Sequence, residues 1–93
     1  MIKVGAGVLN QTPLDWDGNR ERILGAIREA RCQQVSVLCL PELSITGYGC
    51  EDAFYSVGVQ QMAQQVLLEI VPETRNLIVS LGLPLFHRGG LFN

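Results

Sequence analysis

The run Val35-Ser36-Val37-Leu38-Cys39-Leu40 is apolar at every position but Ser36 and is cut off by Pro41. A run that is apolar throughout, not at alternate positions, fits a central strand of a parallel sheet. Parallel strands need crossover connections, and an amphipathic stretch stands on each side of this run to supply them. Before it, Ile23, Leu24, Ile27 and Ala30 fall on one helical stripe within a predicted helix that reaches about Gln33, with Asp17 as N-cap. After it, Val59, Met62, Ala63, Val66, Leu67 and Ile70 recur at i, i+3, i+4, i+7, i+8 and i+11, and Pro72 ends the pattern. Met62 reads as core filler.

Two further runs complete the set of strands. Ile2–Leu9 places Val4, Ala6 and Val8 at period two, and Leu77–Leu83 is a third apolar run broken by Pro84. Gly5-Ala6-Gly7 does not extend to GxGxxG, because Asn10 stands where the last glycine is needed and no helix opens there. His87-Arg88-Gly89-Gly90 reads as a turn, and Leu91-Phe92-Asn93 as the start of a returning strand. The predicted fold is α/β, with element order β-α-β-α-β-(β). Its crossovers are right-handed, and both helices lie on one face of the sheet. Open parallel sheets are covered on both faces, so the pattern reads as the first part of a larger layered fold.

Ninety-three residues allow one domain at most. The formal charge of −2 gives no basis for binding nucleic acid or an anionic membrane, and the arginines between Arg20 and Arg31 read as one solvated helix face. No apolar run has the length of a signal peptide core or a membrane span, and the simplest location is the cytoplasm. Cys32, Cys39 and Cys50 are an odd set without CxxC spacing, so neither a disulfide framework nor zinc is indicated. Cys39, inside the strand, reads as a small buried thiol.

The chemistry concentrates after Pro41. Glu42 stands just past the carboxyl end of the central strand, where open α/β sheets place their sites. Desolvation at such a position favours the protonated form of a carboxyl and moves it toward the working range of a general base. The alternatives are a solvated loop residue or a charge at a helix start. Tyr48, between Gly47 and Gly49, either presents its hydroxyl to a ligand or anchors the loop under the sheet. Glu51-Asp52 reads as a capping pair, not a metal site. Cys50 has no histidine nearby to activate it, and His87, the single histidine, reads as exposed.

The segment LPELSITGYGCEDAF resembles the glutamic-acid motif of the nitrilase (carbon–nitrogen hydrolase) superfamily. The opening KVGAGVLNQTPLDWDGNRERI, the GYGCEDAF continuation and the closing NLIVSLGLPLFHRGGLFN resemble, more narrowly, the glutaminase domain of the glutamine-dependent NAD synthetase branch. The resemblance implies an α-β-β-α sandwich, of which residues 1–93 would be an incomplete, N-terminal fragment of one domain with no second domain. It implies a Glu–Lys–Cys triad in which Glu42 is the general base, with Tyr48 near the glutamine pocket. Lys3 and the three cysteines do not sit at the family's lysine and nucleophile motifs, so the fragment alone is expected to be inactive. The resemblance further implies glutamine as substrate and a homo-oligomer. It also implies ATP, Mg2+ and deamido-NAD in a separate synthetase domain, with no cofactor in residues 1–93. Two other functions fit the residues: an amidase or carbamoylase without a ligase domain, and a short non-catalytic interaction module.

Overall fold

The computed structural model describes residues 2–93. Three parallel strands, β1 (Val4–Ala6), β2 (Val37–Cys39) and β3 (Ile78–Ser80), form a sheet in the order β1-β2-β3. Helix α1 (Trp16–Cys32) connects the first pair and α2 (Val57–Ile70) the second. A hairpin of β4 (Leu85–His87) and β5 (Gly90–Phe92) follows as a separate two-stranded sheet. Its turn residues, Arg88 and Gly89, have φ of 51° and 79°, the left-handed pair that matches strand twist in a two-residue hairpin. The α/β class and the strand–helix alternation expected from the sequence are therefore present.

Each parallel strand is shorter than its apolar run. The ladder nevertheless continues past the strand ends, with Gly7 N–H donating to Cys39 O at 2.8 Å, Leu40 N–H to Ser80 O at 2.8 Å and Ser36 N–H to Lys3 O at 2.7 Å. Register places Val4, Val37 and Ile78 in one row, Gly5, Leu38 and Val79 in the next, and Ala6, Cys39 and Ser80 in the third. Adjacent rows point to opposite faces. Leu38 is buried against Ile23, Ile27 and Ala30 of α1 and Ala63, Val66 and Ile70 of α2. The other face is bare: Val4 is 65% exposed and Ile78 67%. Both helices thus cover the same face, as predicted.

Three expectations need correction. Cys39 is exposed, not buried, because it belongs to the bare face. The N-cap of α1 is Asp15, not Asp17; its carboxylate accepts from Gly18 N–H at 3.1 Å. The arginines do not form one solvated face. Arg20 donates to Glu69 of α2 at 2.6 Å, and Arg31 donates to Glu73 O at 2.6 Å and Arg75 O at 3.0 Å, tying α1 to α2 and to the turn that follows it. As the pattern implied, α2 ends at Ile70, just before Pro72, which lies in a 3-10 turn, Val71–Thr74, that follows directly. Met62 is half-buried on α2. Among the described residues no helix is long and apolar enough to cross a membrane.

Candidate active site

Beyond β2 the chain makes a compact elbow whose middle is welded down while two side chains stand out. Ser44, Ile45, Thr46 and Gly47 are all buried, whereas Glu42 and Tyr48 are exposed. The weld is made of hydrogen bonds from three directions. Ile45 N–H donates to Gly82 O at 3.1 Å, and Gly82 N–H donates to Ser44 Oγ at 3.2 Å, anchoring the elbow to the end of β3. From just past β5, Asn93 Oδ1 accepts Leu43 N–H at 3.2 Å. Inside the elbow, Gly47 N–H donates to Leu43 O at 2.7 Å.

The third anchor is a polar knot at the start of α1. Asn19 is fully buried, and its side chain uses both ends. Nδ2 donates to Thr12 O at 2.9 Å and Ile45 O at 3.0 Å, and Oδ1 accepts Thr12 N–H at 3.0 Å and Arg22 Nη2–H at 2.8 Å. Gln11 Nε2 donates to Ser44 O at 2.6 Å and to Asn19 O at 3.1 Å, and its Oε1 accepts Arg22 Nε–H at 2.7 Å. No buried side-chain polar atom among the described residues lacks a partner. Gln11, Asn19, Ser44 and Asn93 were not singled out from the sequence. One sign was present: Asn19 continues the stripe of Ile23, Ile27 and Ala30 by one turn, placing an amide on a helix face that is otherwise apolar.

Backbone approaches backbone closely under Glu42. A Cβ added to Gly82 would fall inside contact distance of Leu43 N and Asn93 Oδ1 and 3.1 Å from Glu42 C. Gly82→Ala is therefore expected to push the elbow off β3 and to cost roughly 1–3 kcal/mol by overpacking. Urea unfolding checks this, and an unchanged midpoint would mean that the elbow yields freely.

Glu42 is exposed, so the partial desolvation expected at this strand end is not found. Its side-chain partner is Tyr48, whose hydroxyl donates to Oε2 at 2.6 Å. Donating that proton to a carboxylate holds the Tyr48 phenol above the usual tyrosine range. Tyr48 is thus not an anchor beneath the sheet. Cys50 is buried, with its thiol against Gly47 O at 3.4 Å and Thr46 O at 3.7 Å, and burial pushes its pKa up. That is the opposite of an activated nucleophile. Glu51 and Asp52 open a 3-10 turn, Glu51–Tyr55, but their side chains lie outside the described residues. Lys3 lies at the amino end of β1, its Nζ donating to Gln33 O at 2.8 Å, at the far end of the strands from Glu42. His87 is exposed at the end of β4. A cavity of about 450 Å³ between β1 and α1, lined by Gly7, Leu9, Arg22 and Glu29 among others, includes neither Glu42 nor Tyr48.

Glu42 stands outside the carboxyl end of the central strand of a parallel layer, the end at which open α/β sheets place their ligand sites. The chain belongs to the carbon–nitrogen hydrolase family, whose model matches residues 3–93. It is similar to the glutamine-dependent NAD(+) synthetase of Saccharomyces cerevisiae, with 39% identity over 95 residues that cover 100% of this chain and 13% of that protein. A crystal structure of a glutamine-dependent NAD(+) synthetase from Cytophaga hutchinsonii superposes with a TM-score of 0.94 at 47% identity, covering 99% of this chain and 16% of that one. An amidase from Nesterenkonia sp. shares the fold, with a TM-score of 0.78 at 21% identity over 89% of this chain and 32% of that one. The chain therefore spans about an eighth of the length of the curated relatives it matches.

Proposed function

We propose that residues 1–93 form the amino-terminal part of one nitrilase-like domain that releases ammonia from glutamine, and that Glu42 is its general base. The observation that carries the reading is the elbow. The ladder bond from Leu40 N–H to Ser80 O fixes the chain before Glu42, and three separate anchors at Leu43, Ser44 and Ile45 fix it after, while its carboxylate is left exposed. That is the requirement for a base that must meet a proton at a fixed place. The similarity to glutamine-dependent NAD(+) synthetases supports the choice of glutamine.

In this reading Glu42 accepts the proton of a cysteine thiol as the sulfur attacks the glutamine carboxamide carbon. The tetrahedral adduct collapses to a thioester as Glu42 returns that proton to the nitrogen, which leaves as ammonia. Glu42, ionised again, then takes a proton from a water that attacks the thioester carbonyl, and returns it to the sulfur as glutamate departs. A lysine stabilises the oxyanion. Lys3 and Cys50 are committed to other contacts, Cys32 ends α1, and Cys39 belongs to the bare sheet face. The lysine and nucleophile are therefore contributed by residues outside 1–93. The ammonia is consumed in an ATP- and Mg2+-dependent amidation of deamido-NAD on a separate synthetase domain. We place the whole protein in the cytoplasm as a homo-oligomer.

The test is a substrate panel on the native protein that carries this segment. Ammonia release is expected from glutamine, faster when ATP and deamido-NAD are present. Release from simple aliphatic amides or N-carbamoyl compounds, with no response to ATP, would support an amidase or carbamoylase instead. The bare sheet face favours a further reading, a non-catalytic module that pairs with a partner through that face. A native protein with no turnover on any of these substrates would select it.

A further inference from the structure

We propose that Tyr48 is a positioning residue for Glu42: its hydroxyl holds one carboxylate oxygen, Oε2, so that the other, Oε1, is the oxygen that takes the proton. The proposal rests on the amide-hydrolase reading of the site and assigns the two oxygens of its base separate duties.

The local backbone explains how the two side chains meet. Gly47 and Gly49 have φ of 79° and 81°, left-handed values that a side chain tolerates poorly. A turn on each side of Tyr48 swings the phenol back over the elbow to a residue six positions earlier. The space beneath is closed, because a Cβ on Gly47 would meet the backbone of Thr12 at 3.0 Å and Pro13 N at 3.1 Å. Glu42 and Tyr48 are thus projected from one rigid piece whose middle, Ser44–Gly47, is buried.

An exposed glutamate otherwise rotates freely about its side-chain bonds, and that freedom is lost anew each time it must meet a reactant. A 2.6 Å O–H···O⁻ contact is short and charge-assisted, strong enough to select one rotamer. The geometry also decides between two roles for Tyr48. A phenol has one proton to donate, and here it is given to Glu42. A tyrosine serving as hydrogen-bond donor to substrate would have to release the base first. Tyr48 therefore acts through Glu42.

Steady-state kinetics on the native protein that carries this segment test the role. Tyr48→Phe removes only the hydroxyl and is expected to lower kcat on the order of ten- to a hundredfold, the loss of one charged hydrogen bond, while KM for glutamine stays within about twofold. In a Glu42→Gln background the same substitution is expected to change the residual rate little, because a residue that works only through Glu42 has nothing left to position. A raised KM with kcat preserved would make Tyr48 a substrate contact and overturn the proposal. So would an equal loss from Tyr48→Phe with and without Glu42.

A second measurement is independent of turnover. In ¹³C NMR of the Tyr48 ring in the native protein that carries this segment, Glu42→Gln is expected to lower the pH at which the phenol loses its proton. No movement would show that the two groups are uncoupled and would overturn the proposal even if the site hydrolyses glutamine. Conversely, coupled titration in a native protein that hydrolyses no amide would remove the reaction and leave the pair standing.

Discussion

Replacing Glu42 with glutamine is expected to lower ammonia release from glutamine by about a hundred- to ten-thousandfold, the usual worth of a general base, while the fold is kept. The carboxamide has the same length and still offers a carbonyl oxygen to the Tyr48 hydroxyl. Its one deficiency is that it cannot accept a proton. Glu42 is exposed and takes no part in the core, so nothing in the sheet or helices depends on its charge. The variant should match the parent in circular dichroism and in urea midpoint. Turnover within a fewfold of the parent would remove Glu42 from the chemistry and leave it a loop residue that happens to bind Tyr48.

Asn19→Leu should have the largest effect on stability of any single replacement in the polar knot. Leucine keeps asparagine's branching, with two methyl groups in place of the oxygen and nitrogen, but can neither donate nor accept. Thr12 N–H, Thr12 O and Ile45 O would lose their partner inside the protein, and the Arg22 guanidinium would lose one acceptor. An unsatisfied buried polar group costs about 1–3 kcal/mol, and the knot leaves several at once. With partial relief from entering water, a net loss of about 3 kcal/mol is expected, a large share of what a domain of this size has in total. Asn19→Asp should be nearly as damaging, because a carboxylate cannot donate to either carbonyl. A urea midpoint for Asn19→Leu equivalent to less than about 0.5 kcal/mol of change, the ordinary surface range, would show that the knot is dispensable.

Periodicity revealed the layers and not their surroundings. The stripe from Val59 to Ile70 and the apolar run at Val35–Leu40 each announced an element, because side chains that recur in step with the backbone must share a face. The same logic could not tell which faces of β2 are covered. Cys39 lies in an apolar run yet is exposed, since its burial depends on what lies across the sheet and not on its neighbours in sequence. Asp15 and Asp17 are equally good caps on paper. Asp15 holds the position because Gly18 N–H reaches its carboxylate. At the candidate site, Glu42 was legible from its place after Pro41, but its exposure was not. The Tyr48 contact depends on two left-handed glycines acting together, and the knot around Asn19 joins residues 26 positions apart. Polar partnerships of that kind leave almost no mark on local pattern.

The bond between Asn93 and Leu43 spans 50 positions, and those from Gln11 to Ser44 and from Asn19 to Ile45 span 33 and 26. These spans set a timetable for synthesis. As the chain leaves the ribosome, α1 and its knot can receive the elbow soon after residue 46 emerges. Gly82 and Asn93 arrive later, and contacts between distant segments close slowly. For that interval Glu42 hangs from an elbow held on one side only. The anchoring of the backbone around Glu42 is thus completed late in this segment, with Gly82 and then with the return of the β4–β5 hairpin that brings Asn93.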